Sequence, residues 1–211
     1  MLGYGSCVPD APWTIRQADP EDFEFLACML GHAAVWQPGA SVPEIEIVLA
    51  IPELAHYLDG WPRAGDYALI AVDAAPLGAA WWRQLTADDA GYGYVAADTP
   101  EIVIAVRPDY RGRGIGSALL ETLLASAESY GLPALSLSVD RDNPATHLYE
   151  RLGFIATGGV ENSLTMVRRL YTGASRGRGY PSRALLPPSL PACRKSRRPT
   201  APGWVGRCRL S

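Results

Sequence analysis

Arg111-Gly112-Arg113-Gly114-Ile115-Gly116-Ser117 lies between an apolar run, Glu101–Val106, and a stretch of helical periodicity. Binding of a phosphate or pyrophosphate is the chemistry such a turn could do. Glycines let a backbone bend sharply and approach a ligand closely. The first amides of a helix lack intrahelical acceptors and carry the positive end of its dipole, so they can cradle an anion. Arg111 and Arg113 add guanidinium donors suited to phosphate oxygens. A nucleotide-hydrolysing P-loop would need a lysine before Ser117, and the single lysine of the chain is Lys195. A dinucleotide-binding turn would start its glycines directly at the strand end; here they begin six residues after Val106, with Ser117 at the third glycine position. A tight turn without a ligand stays open as a further reading.

A second constellation follows: Asn143-Pro144-Ala145-Thr146-His147-Leu148-Tyr149-Glu150-Arg151-Leu152-Gly153-Phe154. Read from its residues, Asn143 is a helix cap and Tyr149 a core aromatic on an apolar helix face. Arg111-x-x-Gly114-x-Gly116 resembles the Gln/Arg-x-x-Gly-x-Gly/Ala motif of the GCN5-related N-acetyltransferase (GNAT) family. The second constellation resembles that family's Asn-x-x-Ala-x-x-Leu-Tyr-x-x-x-Gly-Phe helix, and the two stand at the family's separation. The resemblance implies an α/β fold whose central mixed sheet splays after its fourth strand, with helices on both faces. It implies acetyl-CoA as co-substrate, without a metal. It places the pantetheine arm against the backbone of Ile104, Ala105 and Val106 and against Asn143. The pyrophosphate falls to Arg111, Gly112, Arg113, Gly114, Ile115, Gly116 and Ser117. Tyr149 takes the role of general acid towards the departing thiolate and Glu101 that of base. The reaction implied is direct attack of an amine on the thioester in a ternary complex. A non-catalytic acyl-CoA-binding sensor or scaffold is the alternative.

These residues need elements to position them. Trp13–Gln17 reads as a first strand, and Asp19-Pro20-Glu21-Asp22 opens a helix carrying Phe23, Leu26, Ala27 and Leu30. A second helical run spans about 43–58, interrupted by Pro52. Residues 67–73 and 77–85 form a hairpin, 86–99 a loop, and Glu101–Val106 a strand buried on both faces. Alternation puts Glu101, Val103 and Ala105 on one face. A long helix follows over about 116–130, then strand 134–139, a short helix 143–152 and strands 154–156 and 163–170. His32 and His56 stand in no motif and read as structural, while His147 reads as a surface histidine.

The 211 residues hold 48% hydrophobic and 19% charged residues, a globular balance. The layout expected is an extension over 1–12, a domain over 13–170 and a disordered tail over 171–211. Nine of the 19 basic residues follow Leu170 with no acidic one; residues 1–170 hold ten basic and all 22 acidic residues, a formal −12 against +9. The acidic domain favours a cationic amine, a small molecule or a peptide; the resemblance implies an acceptor pocket shaped by the first helices and the loop before the fourth strand, segments that hold Trp36, Glu44, Glu46, Trp61, Trp82, Asp88, Asp89, Tyr92 and Tyr94. The basic tail offers weak nucleic-acid affinity at most. Cys7, Cys28, Cys193 and Cys208 show no paired spacing, which suggests reduced thiols in the cytoplasm rather than a zinc site. No run is long and apolar enough for a membrane span, and the chain is expected as a monomer or homodimer.

Overall fold

The computed structural model describes residues 12–170. The basic tail and, Pro12 apart, the N-terminal extension lie outside the described residues. The strands are β1 (Thr14–Gln17), β2 (Tyr67–Val72), β3 (Pro76–Arg83), β4 (Glu101–Val106), β5 (Ala134–Asp140), β6 (Ile155–Gly158) and β7 (Ser163–Arg169). The helices are α1 (Phe23–Ala34), α2 (Ile45–Ala50), α3 (Pro52–Ala55), α4 (Ile115–Ser129) and α5 (Thr146–Arg151). The seven strands form one mixed sheet in the order β1-β2-β3-β4-β5-β7-β6, in which β4 and β5 are the parallel pair.

Period-two alternation sorts the sheet's side chains onto two cores. Tyr67, Leu69, Ala80, Trp82 and Ile102 pack with Leu119, Leu120 and Leu123 of α4. Ala68, Ile70, Ala79, Trp81 and Ala105 pack on the other face with Leu26, Met29 and Leu30 of α1 and Val48 of α2. Helices therefore cover both faces, as expected. The expected helical run over 43–58 is two short helices, because Ile51 is extended (φ −89°, ψ 110°) ahead of Pro52.

Helix α4 starts at Gly114, which sits at φ +80° in the left-handed region where a side chain is strained. It stops in a Schellman pattern: Leu132 N–H donates to Ala127 O at 3.0 Å and Gly131 N–H to Glu128 O at 3.0 Å.

The end of β3 is bolted to the turn after α3. Arg83 is fully buried, and its guanidinium is bidentate on Asp66, with Nε at 3.1 Å and Nη2 at 2.5 Å from the two oxygens. Its Nη1 donates to the carbonyls of His56 (2.8 Å) and Asp59 (2.9 Å). All three nitrogens of the fork are engaged, which is what allows a guanidinium to be buried. Asp66→Asn leaves that cation uncompensated, so urea unfolding should show a loss of about 3–5 kcal/mol. An unchanged midpoint would remove the pair from the forces that hold the 56–66 turn.

Candidate active site

Strands β4 and β5 pair at one position, Glu101↔Ser136, where Ser136 N–H donates to Pro100 O at 3.0 Å. Beyond it they diverge, and Ile102–Val106 and Leu137–Asp140 line a cleft of about 1090 Å³. On its other edge β4 pairs with β3, and Arg107 N–H donating to Leu77 O sets the phase of that ladder. Ala105 therefore turns its N–H and C=O to β3, while Ile104 and Val106 turn theirs to the cleft. This corrects the expectation for Ala105, which has no backbone group left for an added strand. Val106 O accepts Arg111 Nε at 3.1 Å.

The turn after β4 opens onto the same cleft through Arg111, Gly112, Gly114, Gly116 and Ser117. Ala118 N–H reaches back to Gly114 O at 3.0 Å. The amides from Gly112 to Ser117 donate to nothing among the described residues. A Cβ built at Gly112 or Gly114 would meet no atom within 4 Å, so the concave side of the turn is open. Arg113 Nη2 donates to Asp109 O at 2.9 Å and its guanidinium lies 5.0 Å from the Tyr110 ring centroid. Ile115 is buried and packs in the α4 core, so its backbone and not its side chain faces an anion. Such a run of free amides on the positive end of a 15-residue helix is an anion cradle.

Asn143 lies across the cleft. It does not cap α5, as the sequence suggested: the helix starts at Thr146 with Ala145 at its cap position. Asn143 Oδ1 instead accepts Ala145 N–H at 2.9 Å, an Asx turn one step earlier. Tyr149 is held by the end of α5. Phe154 N–H donates to Tyr149 O (3.0 Å) and Gly153 N–H to Glu150 O (2.9 Å), with Gly153 at φ +83°. These are the two bonds of a Schellman stop, and its customary apolar contact is the Tyr149–Phe154 edge contact, centroids 6.0 Å apart. The Tyr-x-x-x-Gly-Phe spacing is thus a helix-ending device that fixes where the phenol points. Burial pushes that phenol up to about 12.

Glu101 lines the cleft from the opposite face of the sheet. It is 3% exposed. Its Oε1 accepts the Tyr57 hydroxyl at 2.7 Å and Gly93 N–H at 2.7 Å, and its Oε2 is buried without a partner among the described residues. Burial pushes the carboxyl up to about 7, against the two donors, which favour the charged form. The Tyr57 hydroxyl in turn accepts Tyr92 N–H at 3.0 Å. A carboxyl poised near neutrality and a fully protonated phenol therefore meet in one cleft, where an anion cradle also opens.

Residues 42–154 match the acetyltransferase (GNAT) family. The chain belongs to that family. Among its relatives is the mycothiol acetyltransferase of Streptomyces coelicolor, 48% identical over 54 residues, which are 25% of this chain and 18% of that protein. The [ribosomal protein bS18]-alanine N-acetyltransferase of Escherichia coli is 44% identical over 69 residues, 32% of this chain and 42% of the relative. The chain thus spans less than half the length of these two relatives. In fold it is similar to yncA of Salmonella typhimurium, whose structure holds its cofactor acetyl-CoA: TM-score 0.58, 22% identity, 78% of this chain and 98% of the other.

Within this GNAT domain the expected acceptor contacts scatter. Trp36 and Tyr92 line the cleft; Glu44, Glu46, Trp61, Trp82, Asp88, Asp89 and Tyr94 do not. Trp82 stacks on Tyr67 in the α4 core (4.6 Å, 18°), and Asp89 pairs with His56 Nδ1 at 3.0 Å. His32, read as structural, lines the cleft with its Nδ1 unpartnered among the described residues. Tyr57 carried no motif at all; its role follows from the Arg83–Asp66 bolt that fixes the 56–66 turn. No helix among the described residues is long and apolar enough to cross a membrane.

Proposed function

We propose that the domain transfers an acetyl group from acetyl-CoA to a primary amine by direct attack in a ternary complex. The observation that carries this reading is the meeting of the free amides of 112–117, Tyr149 and Glu101 in the gap between β4 and β5. Acetyl-CoA brings the thioester and its pyrophosphate. The amides of Gly112–Ser117, with Arg111, hold the diphosphate, to which Arg113 contributes its backbone N–H. Ile104 and Val106 offer strand-edge backbone groups to the pantetheine, and Asn143 a side-chain amide. Glu101 accepts the proton that the amine gives up as its nitrogen bonds to the acetyl carbon. Tyr149 donates a hydrogen bond to the sulfur as the carbon–sulfur bond breaks, and the departing thiolate takes its proton from solvent. Residues 13–170 are the catalytic unit in this reading. Titration of the full chain with coenzyme A in a calorimeter, followed by a thiol-release assay with acetyl-CoA and a panel of amines, tests it. Binding plus turnover supports the transferase. Binding without turnover on any amine selects the sensor or scaffold instead, and absence of binding discards both.

A further inference from the structure

The remaining wall of the cleft, between the C-terminal half of α1 and Tyr92, decides what kind of amine fits. It is formed by Leu30, Trp36, Ile51, Leu54, Tyr57 and Tyr92, none of them acidic. Among the cleft-lining residues the acids are Glu101 and Asp140. Asp140 sits at the far end of β5, where its Oδ1 already accepts Asp142 N–H at 3.0 Å and Asn162 Nδ2 at 3.1 Å. The polar groups on the wall itself point to the other sign of charge. Arg111 Nη1 donates to Trp36 O at 3.4 Å, and Trp36 Nε1 and His32 Nδ1 are buried without partners among the described residues. The acids Glu44, Glu46, Asp88 and Asp89, four of the chain's 22, stand outside the cleft.

From this arrangement we infer that the acceptor is a primary amine on an uncharged apolar body, aromatic or branched aliphatic, with no second cation. The inference rests on the acetyl-transfer reading and narrows its substrate class. One ammonium finds one carboxylate, Glu101, with Tyr57 and Tyr92 on the same wall. A second ammonium would be desolvated beside Arg111 with no anion to meet it. An apolar body removes Ile51, which is exposed, and the half-buried Leu54 from water instead.

The test is kcat/KM at saturating acetyl-CoA for 2-phenylethylamine and isoamylamine against 1,5-diaminopentane and spermidine. The expected result is at least about a ten-fold preference for the monoamines. Ile51→Glu, at a position 37% exposed, adds the missing anion to the wall. It should narrow that preference at least about five-fold, with coenzyme A affinity by calorimetry as the check that the variant is folded. Equal or better turnover of the diamine or spermidine by the parent protein overturns the inference and leaves the transferase reading standing. So does an unshifted ratio in a variant that binds coenzyme A normally. Turnover of no amine by a parent protein that binds coenzyme A overturns both.

Discussion

Tyr149→Phe lowers kcat about a hundred-fold and leaves coenzyme A affinity within about two-fold of the parent. The substitution is gentle on the fold. Phe keeps the ring that packs against Phe154, and the Schellman bonds involve backbone alone. What it removes is the hydroxyl, which makes no hydrogen bond to another described residue. The size of the effect follows from the proton affinities. Burial pushes the phenol up to about 12, whereas a thiol ordinarily sits near ~8.5. Complete transfer even to the freed thiolate would be uphill by about 5 kcal/mol. The larger benefit is therefore a hydrogen bond to the sulfur as its charge develops, and donors of that kind are worth about 10²–10³ in kcat. Steady-state rates with the best amine, beside calorimetric coenzyme A binding, make the measurement. A kcat within about three-fold of the parent would falsify the role given to Tyr149.

The parts of this site that could be read from the sequence are those made within a few residues of chain. The cradle at 111–117 needs only a strand end, glycines and a helix start, and all three are contiguous. Tyr149, Gly153 and Phe154 form a closed local unit too, since a Schellman stop has a fixed spacing. That Glu101 shares a face with Val103 and Ala105 follows from strict strand alternation. The setting of Glu101 could not be read. Its donors come from Tyr57, 44 positions away, and Gly93, eight away, brought in by a loop and a turn whose course depends on the Arg83–Asp66 bolt. The loop fits only because positions 91 and 93 lack side chains; a Cβ at either would lie 2.8 Å or closer to a Glu101 oxygen. The acceptor wall shows the opposite failure. Trp81 and Trp82 are equivalent as composition, yet one step of register sends Trp82 to the α4 core, on the face away from α1. Acidic composition likewise suggested a cationic acceptor, and the fold leaves most of those acids outside the cleft.

Glu101→Gln separates catalysis from stability, because the same desolvation that suits the carboxyl for proton transfer strains the fold. Burial pushes this group up to about 7 from an ordinary 4.5. The parent's kcat/KM should therefore fall with unit slope below about pH 7, as Glu101 becomes protonated. Gln accepts the same bonds at its carbonyl oxygen but no proton, so kcat/KM drops about 10²–10⁴-fold at about pH 8 and loses that limb. The stability effect has the reverse benefit. A carboxyl whose folded value is raised binds its proton more tightly in the native state. Its contribution is full below 4.5 and is lost as pH rises through about 7. The shift corresponds to roughly 3 kcal/mol. Urea unfolding at about pH 4 and about pH 8 should show the variant gaining on the parent by that order, less whatever the unpartnered amide nitrogen costs. Tyr57→Phe supplies the internal control. It removes a donor that favours the charged carboxylate, so the acid limb moves upward in pH while the carboxyl itself stays in place. Should Glu101→Gln keep the limb at about pH 7, or Tyr57→Phe leave it unmoved, the proton acceptor is some other group.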